Sequence, residues 1–398
     1  MLIVERIQMR IIEVAPRFPP AIGGVEEHVY QISRELVKRG HDVAVVTSNE
    51  SDGKTCPVQI ENVEGIRVYR FPLFMPKMFR EVWFIPEILK SFLQLRGDII
   101  HVHGYRCLSS FNAVYLAQLR NIPSVLTPHG IYPTRSVRNG VAKALFDHIL
   151  GRLLLSFSDK IIALSEHNRR LLLQVGASAD KIVTVPNGVN VEEFANLRRS
   201  RKIVDELNSD GPLLLYVGRI DWNKRVENVV EAMPLILKDF PSARFVLVGP
   251  DYRNYTNVLL DLAKNLEVEH SLVITGNVSR DRLREFYSVA DVFLLPSCYE
   301  GFGLSMLEAM SSRIPVIASP SGGPGDILDH EVHAWLLKES TPDEISKSVY
   351  AVLKDDRLRG NLTKNAFELV KEKYTWKSVV DKLEMIYEKT ISEKAEKG

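Results

Sequence analysis

Two doubly wound α/β domains are what this sequence predicts. Apolar runs of strand length alternate with amphipathic runs of helix length, these runs fall into two series, and a charged stretch without strand character separates the series. In the first series, Ile11 to Ala15, Val43 to Thr47, Ile99 to Val102, Ser124 to Thr127, Lys160 to Leu164 and Ile182 to Val185 read as buried parallel strands. They are continuous in Val, Ile and Leu rather than alternating with polar residues. A helix from about His28 to Arg39 follows the first of them. The stretch Asn196 to Gly211 is charged and marks a boundary near residues 188 to 210, set here at 195/196. The second series comprises Leu213 to Val217, Arg244 to Val248, Leu272 to Thr275, Val292 to Leu295 and Val316 to Ala318. The segment Thr375 to Glu396 reads as a helix outside both series. The predicted division is therefore 1–195, 196–374 and 375–398.

Composition fits two ordinary domains. The chain has 398 residues, 45% hydrophobic and 25% charged, with a formal net charge of +1, which argues against a general nucleic-acid binder. Cys56, Cys107 and Cys298 are odd in number and widely spaced, so neither a disulfide framework nor a zinc site is suggested. Met1 to Arg10 lacks a signal-peptide core, and no run of about 18 apolar residues occurs. A cytoplasmic protein, soluble or peripheral at the inner face of a membrane, is expected. Between Gly130 and Arg170, seven basic residues (Arg135, Arg138, Lys143, Arg152, Lys160, Arg169, Arg170) outnumber Asp147, Asp159 and Glu166. That composition suits a solvated helix face, or a surface for peripheral contact with anionic lipid or an anionic acceptor.

The most informative stretch runs from Asp291 to Leu328. A strand leads into Glu300, Gly301, Phe302 and Gly303, and a helix then opens near Gly303 and Leu304. Such a helix start points unsatisfied N–H groups and a positive dipole end at an anion. Glu308 falls in the second turn, where a carboxylate accepts hydrogen bonds from neutral partners such as ribose hydroxyls; Glu300 in the loop suits a sugar in the same way. Gly322 and Gly323 form a second glycine turn after the next strand. In the other half, Pro16 to Pro20 leads to Gly23-Gly24-Val25-Glu26 before a helix, another anion cradle that lacks the dinucleotide G-x-G-x-x-G spacing. After Leu213 to Val217 come Gly218, Arg219 and Lys224. Arginine forks onto phosphate oxygens and lysine adds a point charge, so the pair suits a diphosphate leaving group. His101 and His103 point the same way from one strand; they read either as satisfied structural histidines or as two ligands of a metal site for which the sequence offers no third at a telling distance.

The pattern Glu300-x7-Glu308, followed by Ala309-Met310 and Pro315-Val316-Ile317-Ala318, resembles the signature of retaining glycosyltransferase family 4. The resemblance implies the GT-B fold: two Rossmann-like domains facing an inter-domain cleft, acceptor-binding first and nucleotide-sugar-binding second, with the C-terminal helix crossing back to the first. It places Gly23 and Gly24 against the donor diphosphate and acceptor. The His129 of Thr127-Pro128-His129-Gly130 falls at the donor sugar, Arg219 and Lys224 at the phosphates, and the loop of Val278 at the base. It also implies same-face attack, in which the leaving phosphate takes the acceptor's proton. Catalytic roles are thus expected for Arg219, Lys224, Glu300 and His129, and donor binding for Gly23, Gly24, Val278, Gly301, Phe302, Gly303, Leu304 and Glu308. The partners implied are a nucleotide-sugar donor and a sugar or lipid-linked acceptor. No two aspartates stand two apart, so no D-x-D metal site is offered and no metal or other cofactor is expected. The chain departs from the family at Gly322-Gly323-Pro324-Gly325-Asp326, where a glutamate is usual, and at Val332 to Trp335, where Asn-Gly is common. The rival readings are a GT-B nucleotide-sugar epimerase, a dinucleotide-dependent oxidoreductase disfavoured by the missing glycine fingerprint, and a non-catalytic sugar-binding protein, for which both phosphate cations would be superfluous.

Overall fold

The structure is a computed structural model that describes residues 8–51, 54–72, 95–131, 146–208 and 210–396. Two compact units emerge: Met1–Asn187 together with Trp376–Gly398, and Gly188–Thr375.

The first unit contains β1 (Arg10–Val14), β2 (Asp42–Ser48), the short pair β3 (Glu50–Ser51) and β4 (Lys54–Thr55), β5 (Ile60–Val63), β6 (Ile66–Phe71), β7 (Ile99–His103), β8 (Ser124–Thr127), β9 (Lys160–Ala163) and β10 (Ile182–Thr184). Apart from β3 and β4 these form one sheet in the order β10-β9-β8-β7-β1-β2-β6-β5, parallel throughout except where β5 runs against β6. Near-complete burial of Ile11, Ile12, Val14, Val45, Val46, Ile99, Ile100 and Val102 explains why these strands are almost uniformly apolar. The β5–β6 hairpin went unread in the sequence because charged residues interrupt it and both turn residues, Glu64 and Gly65, have positive φ. The first helix runs from Gly24 to Lys38, one turn earlier than expected, and buries His28, Val29, Ile32 and Leu36. The helix Trp376–Ala395 packs against it. Arg39 bridges the two, its Nη1 donating to Asp381 Oδ1 at 2.7 Å and Glu384 Oε2 at 2.6 Å.

The second unit contains β11 (Leu213–Val217), β12 (Arg244–Val248), β13 (Leu272–Gly276), β14 (Val292–Leu295), β15 (Val316–Ala318) and β16 (Trp335–Leu336), all parallel in the order β13-β12-β11-β14-β15-β16. The predicted boundary at 195/196 lies too late. Phe194 is fully buried against Tyr287, with ring centroids 5.4 Å apart, and Val189 bridges to Thr375, so the short helix Val191–Phe194 is built into the second unit. Four helix starts here are closed by their own side chains: Ser200, Ser279, Thr341 and Asp355 each accept a backbone N–H three residues on.

Among the described residues, no helix is long and apolar enough to cross a membrane. The basic stretch is only partly a free face. Lys160 Nζ lies 3.0 Å from Glu393, and neighbouring Asp159 accepts from Lys394 at 2.9 Å, so the helix Trp376–Ala395 engages this edge. Arg135, Arg138 and Lys143 lie outside the described residues, as do most of the Phe71–Leu95 stretch and Met1 to Ile7.

Candidate active site

Ligands of doubly wound sheets sit outside the carboxyl ends of the strands where the strand order reverses. In the second unit that point lies between β11 and β14, and the expected residues gather there. Lys224, just past β11, and Glu300, just past β14, form an ion pair with Nζ 2.6 Å from Oε2, each side chain about 15% exposed. Shielded from water, this cation is a fixed charge rather than a floppy surface lysine. Ser297 Oγ donates to the same oxygen at 3.3 Å. Asn223 ties the loops together, accepting from Cys298 N through its carbonyl at 2.8 Å and donating through its side chain to the carbonyl of Tyr299 at 2.9 Å.

The backbone of Glu300 is clamped by the glycine turn. Gly323 N donates to the Glu300 carbonyl at 2.9 Å, and Glu300 N donates to the carbonyl of Ser321 at 3.2 Å. Gly322, at φ +85°, passes so close that a Cβ would stand 1.9 Å from the Glu300 oxygen, a place only glycine fills. Gly303, also left-handed at φ +91°, sits at the N-cap of the helix Leu304–Ser311 and supplies no side-chain cap, while its carbonyl accepts from Met306 N at 3.0 Å. Gly301 and Phe302 are buried beneath, with Phe302 edge-on to Tyr374 at 6.0 Å.

Arg219 and Glu308 are each held by neighbouring side chains. Arg219, largely exposed, donates through Nε to Asp221 at 2.6 Å and lies 4.9 Å over the Tyr252 ring, so a phosphate would meet a guanidinium already oriented. Glu308 is buried, accepting from Arg280 Nη1 at 2.9 Å and from the Tyr287 hydroxyl at 2.8 Å. Burial and Glu308 together push the Tyr287 phenol well above its ordinary range, so it stays a donor. Arg280 also reaches Glu193 at 2.6 Å. Val278 is half-buried in the loop between β13 and the helix Arg280–Val289.

In the first unit the strand order reverses between β1 and β7, and a buried polar centre fills the interior at that point. Glu13, near the carboxyl end of β1, takes His103 Nε2 at 2.6 Å on Oε2 and the Tyr387 hydroxyl at 3.4 Å on Oε1. His103 Nδ1 meets His129 Nε2 at 2.9 Å. His101 is spanned by the Tyr387 hydroxyl at 2.7 Å and Thr127 Oγ1 at 2.8 Å. His28 Nδ1 meets Asn187 Oδ1 at 2.7 Å, and the Trp376 ring stands 5.6 Å from the His28 ring. Desolvation, reinforced by His101, lowers the His28 pKa to about 4. Desolvation and neighbouring imidazoles hold His103 and His129 well below the usual range, so all three rings are neutral at pH 7. His129 also adopts a left-handed backbone at φ +58°, a conformation non-glycine residues seldom take.

This centre corrects one sequence reading. A third and a fourth histidine do stand beside His101 and His103, but they come from other elements. Asn187 is buried and orients His28. Glu13, His28, Asn187, Trp376 and Tyr387 were missed; the one signal available was a carboxylate inside an otherwise apolar strand, Ile11-Ile12-Glu13-Val14, which burial permits only when it is paired. Gly23 and Gly24 open the first helix, where Glu26 folds back onto Arg17 at 2.6 Å.

Comparison with known proteins assigns these two units. The family profile described as glycosyl transferases group 1 matches residues 198–369, and that of glycosyltransferase family 4 matches residues 22–193. An uncharacterised glycosyltransferase of Methanocaldococcus jannaschii is 32% identical, the match covering 95% of this chain and 98% of the relative. Glycogen synthase of Mycobacterium tuberculosis is 26% identical, covering 95% and 94%. Among solved structures, sucrose-phosphate synthase from Thermosynechococcus elongatus shares the fold at a TM-score of 0.82 and 24% identity, covering 97% of this chain and all of the other. Anabaena HepE in complex with UDP does so at 0.77 and 18% identity, covering 96% and all of the other. With both halves matched and the sheets ordered as described, the chain belongs to the family 4 glycosyltransferases of GT-B fold and is a transferase enzyme.

Proposed function

We propose that this enzyme moves a hexose-type sugar from a nucleotide-diphosphate sugar to a hydroxyl of a sugar or lipid-linked acceptor, with retention of configuration and without a metal. The shielded Lys224–Glu300 pair at the strand reversal of the second unit carries this reading. Breaking the bond from the anomeric carbon to the diphosphate builds negative charge on the leaving oxygens. Lys224, Arg219 and the amides at the start of Leu304–Ser311 meet that charge without reorganising. Glu300 accepts hydrogen bonds from sugar hydroxyls while holding Lys224 in place. His129, neutral at pH 7, contributes a hydrogen bond near the anomeric carbon. Same-face attack then needs no enzymic nucleophile, because the departing phosphate oxygen takes the acceptor's proton as the new glycosidic bond forms.

A relative solved with UDP makes uridine the first base to try. Thermal unfolding with UDP, GDP and ADP, each with and without EDTA, tests the metal-free nucleotide site. One nucleotide at 100 times its dissociation constant should add about 2.7 kcal/mol of stability, whether or not EDTA is present. A shift that EDTA abolishes and Mg²⁺ or Mn²⁺ restores would overturn the metal-free reading. Product analysis with the matching sugar nucleotide then separates a new glycoside from an epimerised donor.

Glu308, fixed by Arg280 and Tyr287, is oriented to accept the ribose hydroxyls with its remaining lone pairs. Glu308→Ala should weaken nucleotide binding by about 1.5–3 kcal/mol, the range for a hydrogen bond to a charged group. Calorimetric titration giving the parent affinity in a folded variant would remove Glu308 from the donor site.

A further inference from the structure

The centre of the first unit holds more nitrogen donors than a sugar contact requires. We propose that His28, His103 and His129 form a three-imidazole site for one divalent transition ion of the zinc class, and that an ion bound there inhibits transfer by taking His129 away from the sugar. The inhibitory part rests on the role given to His129 above; the binding part does not.

The donors converge: one ring nitrogen from each of His28, His103 and His129 lies within 4.8 Å of the others, and His103 Nδ1 is 2.9 Å from His129 Nε2. A tetrahedral zinc with bonds of about 2.0–2.1 Å holds its nitrogens roughly 3.3 Å apart, so modest side-chain movement closes the set. Their protons are already arranged. The Asn187 oxygen can only accept, which places the His28 proton on Nδ1 and a lone pair on Nε2. That Nε2 is buried and has no partner, a costly state for a polar atom with nothing to bind. The Glu13 carboxylate likewise fixes the His103 proton on Nε2 and turns its Nδ1 lone pair inward. Carboxylate behind imidazole, imidazole facing the ion, is the outer-shell arrangement that orients zinc ligands. His129 Nε2 donates to His103 Nδ1 in the free protein; on ion binding its proton moves to Nδ1, a tautomer change that releases none. Because burial keeps the three rings neutral at pH 7, protons compete little with the ion.

A neighbouring set, Glu13, His101 and His103, is also close-packed, but Tyr387 and Thr127 already occupy both His101 nitrogens. The three-imidazole set leaves a fourth position open for water. Turnover itself needs no ion, so chelator leaves it intact or raises it.

The test uses the full chain stripped with chelator and dialysed free of it. Titration with Co²⁺ should give visible ligand-field bands of tetrahedral intensity saturating at one ion per chain, displaced by Zn²⁺. His28→Gln, and separately Glu13→Gln, should raise the dissociation constant by roughly 10–100-fold. His270→Gln, at an exposed position, should leave it unchanged. Weak octahedral bands in the parent protein would overturn the site without recourse to any variant, as would affinity indifferent to His28 but lost with His270. Tight tetrahedral binding without inhibition would retain the site and refute the role it assigns to His129.

Discussion

Lys224→Ala should lower turnover at saturating donor by roughly two to three orders of magnitude, the scale for removing one preorganised donor from developing charge. The large effect follows from the pairing. Lys224 is held by Glu300 in a site where water screens little, so under the proposed mechanism its charge is already in place when the leaving phosphate acquires its own. Arg219, exposed and shared with Asp221, cannot take over that position. Removing the lysine also leaves Glu300 as an uncompensated carboxylate beside an anionic donor, so affinity for the nucleotide sugar should fall as well. Pre-steady-state measurement with saturating donor separates the two effects. A single-turnover rate equal to the parent's would show that Lys224 serves binding alone.

Gly322→Ala should be the most damaging small substitution in the second unit, costing on the order of 3 kcal/mol. Its φ of +85° with ψ of −134° belongs to a region essentially reserved for glycine, and the added Cβ would meet the Glu300 carbonyl oxygen at 1.9 Å. The chain must move apart, and Glu300 moves with it. Calorimetry should show the transition of the second unit lowered by several degrees while that of the first is unchanged, with loss of activity exceeding the loss of folded protein. Unaltered melting would mean that the turn relaxes without strain.

The sheets were legible because buried parallel strands are written almost wholly in Val, Ile and Leu. Leu213 to Val217, Arg244 to Val248, Ser124 to Thr127, Val292 to Leu295 and Val316 to Ala318 end where the sequence suggested. The edge strands β10 and β13 were also legible, but those at the opposite edges were not. Ile60 to Phe71 alternates charge with hydrophobicity and pairs antiparallel at the border of its sheet, while Trp335–Leu336 is too short to leave a pattern. In the site, residue types following strand ends were readable, because chemistry and position are both local. Pairings were not. Lys224 meets Glu300 across 76 residues, His103 meets Glu13 across 90, and His28 meets Asn187 across 159, distances at which only the completed fold decides which side chains share a wall.

The first unit is discontinuous in sequence: Tyr387 and Trp376 come from a helix encoded after the entire second unit, yet they close over His101 and His28. On the ribosome, the order of completion therefore runs opposite to the order of translation. The second unit, continuous from Gly188 to Thr375, has all its parts first, whereas the domain begun first must keep its polar interior open until the last helix emerges from the exit tunnel.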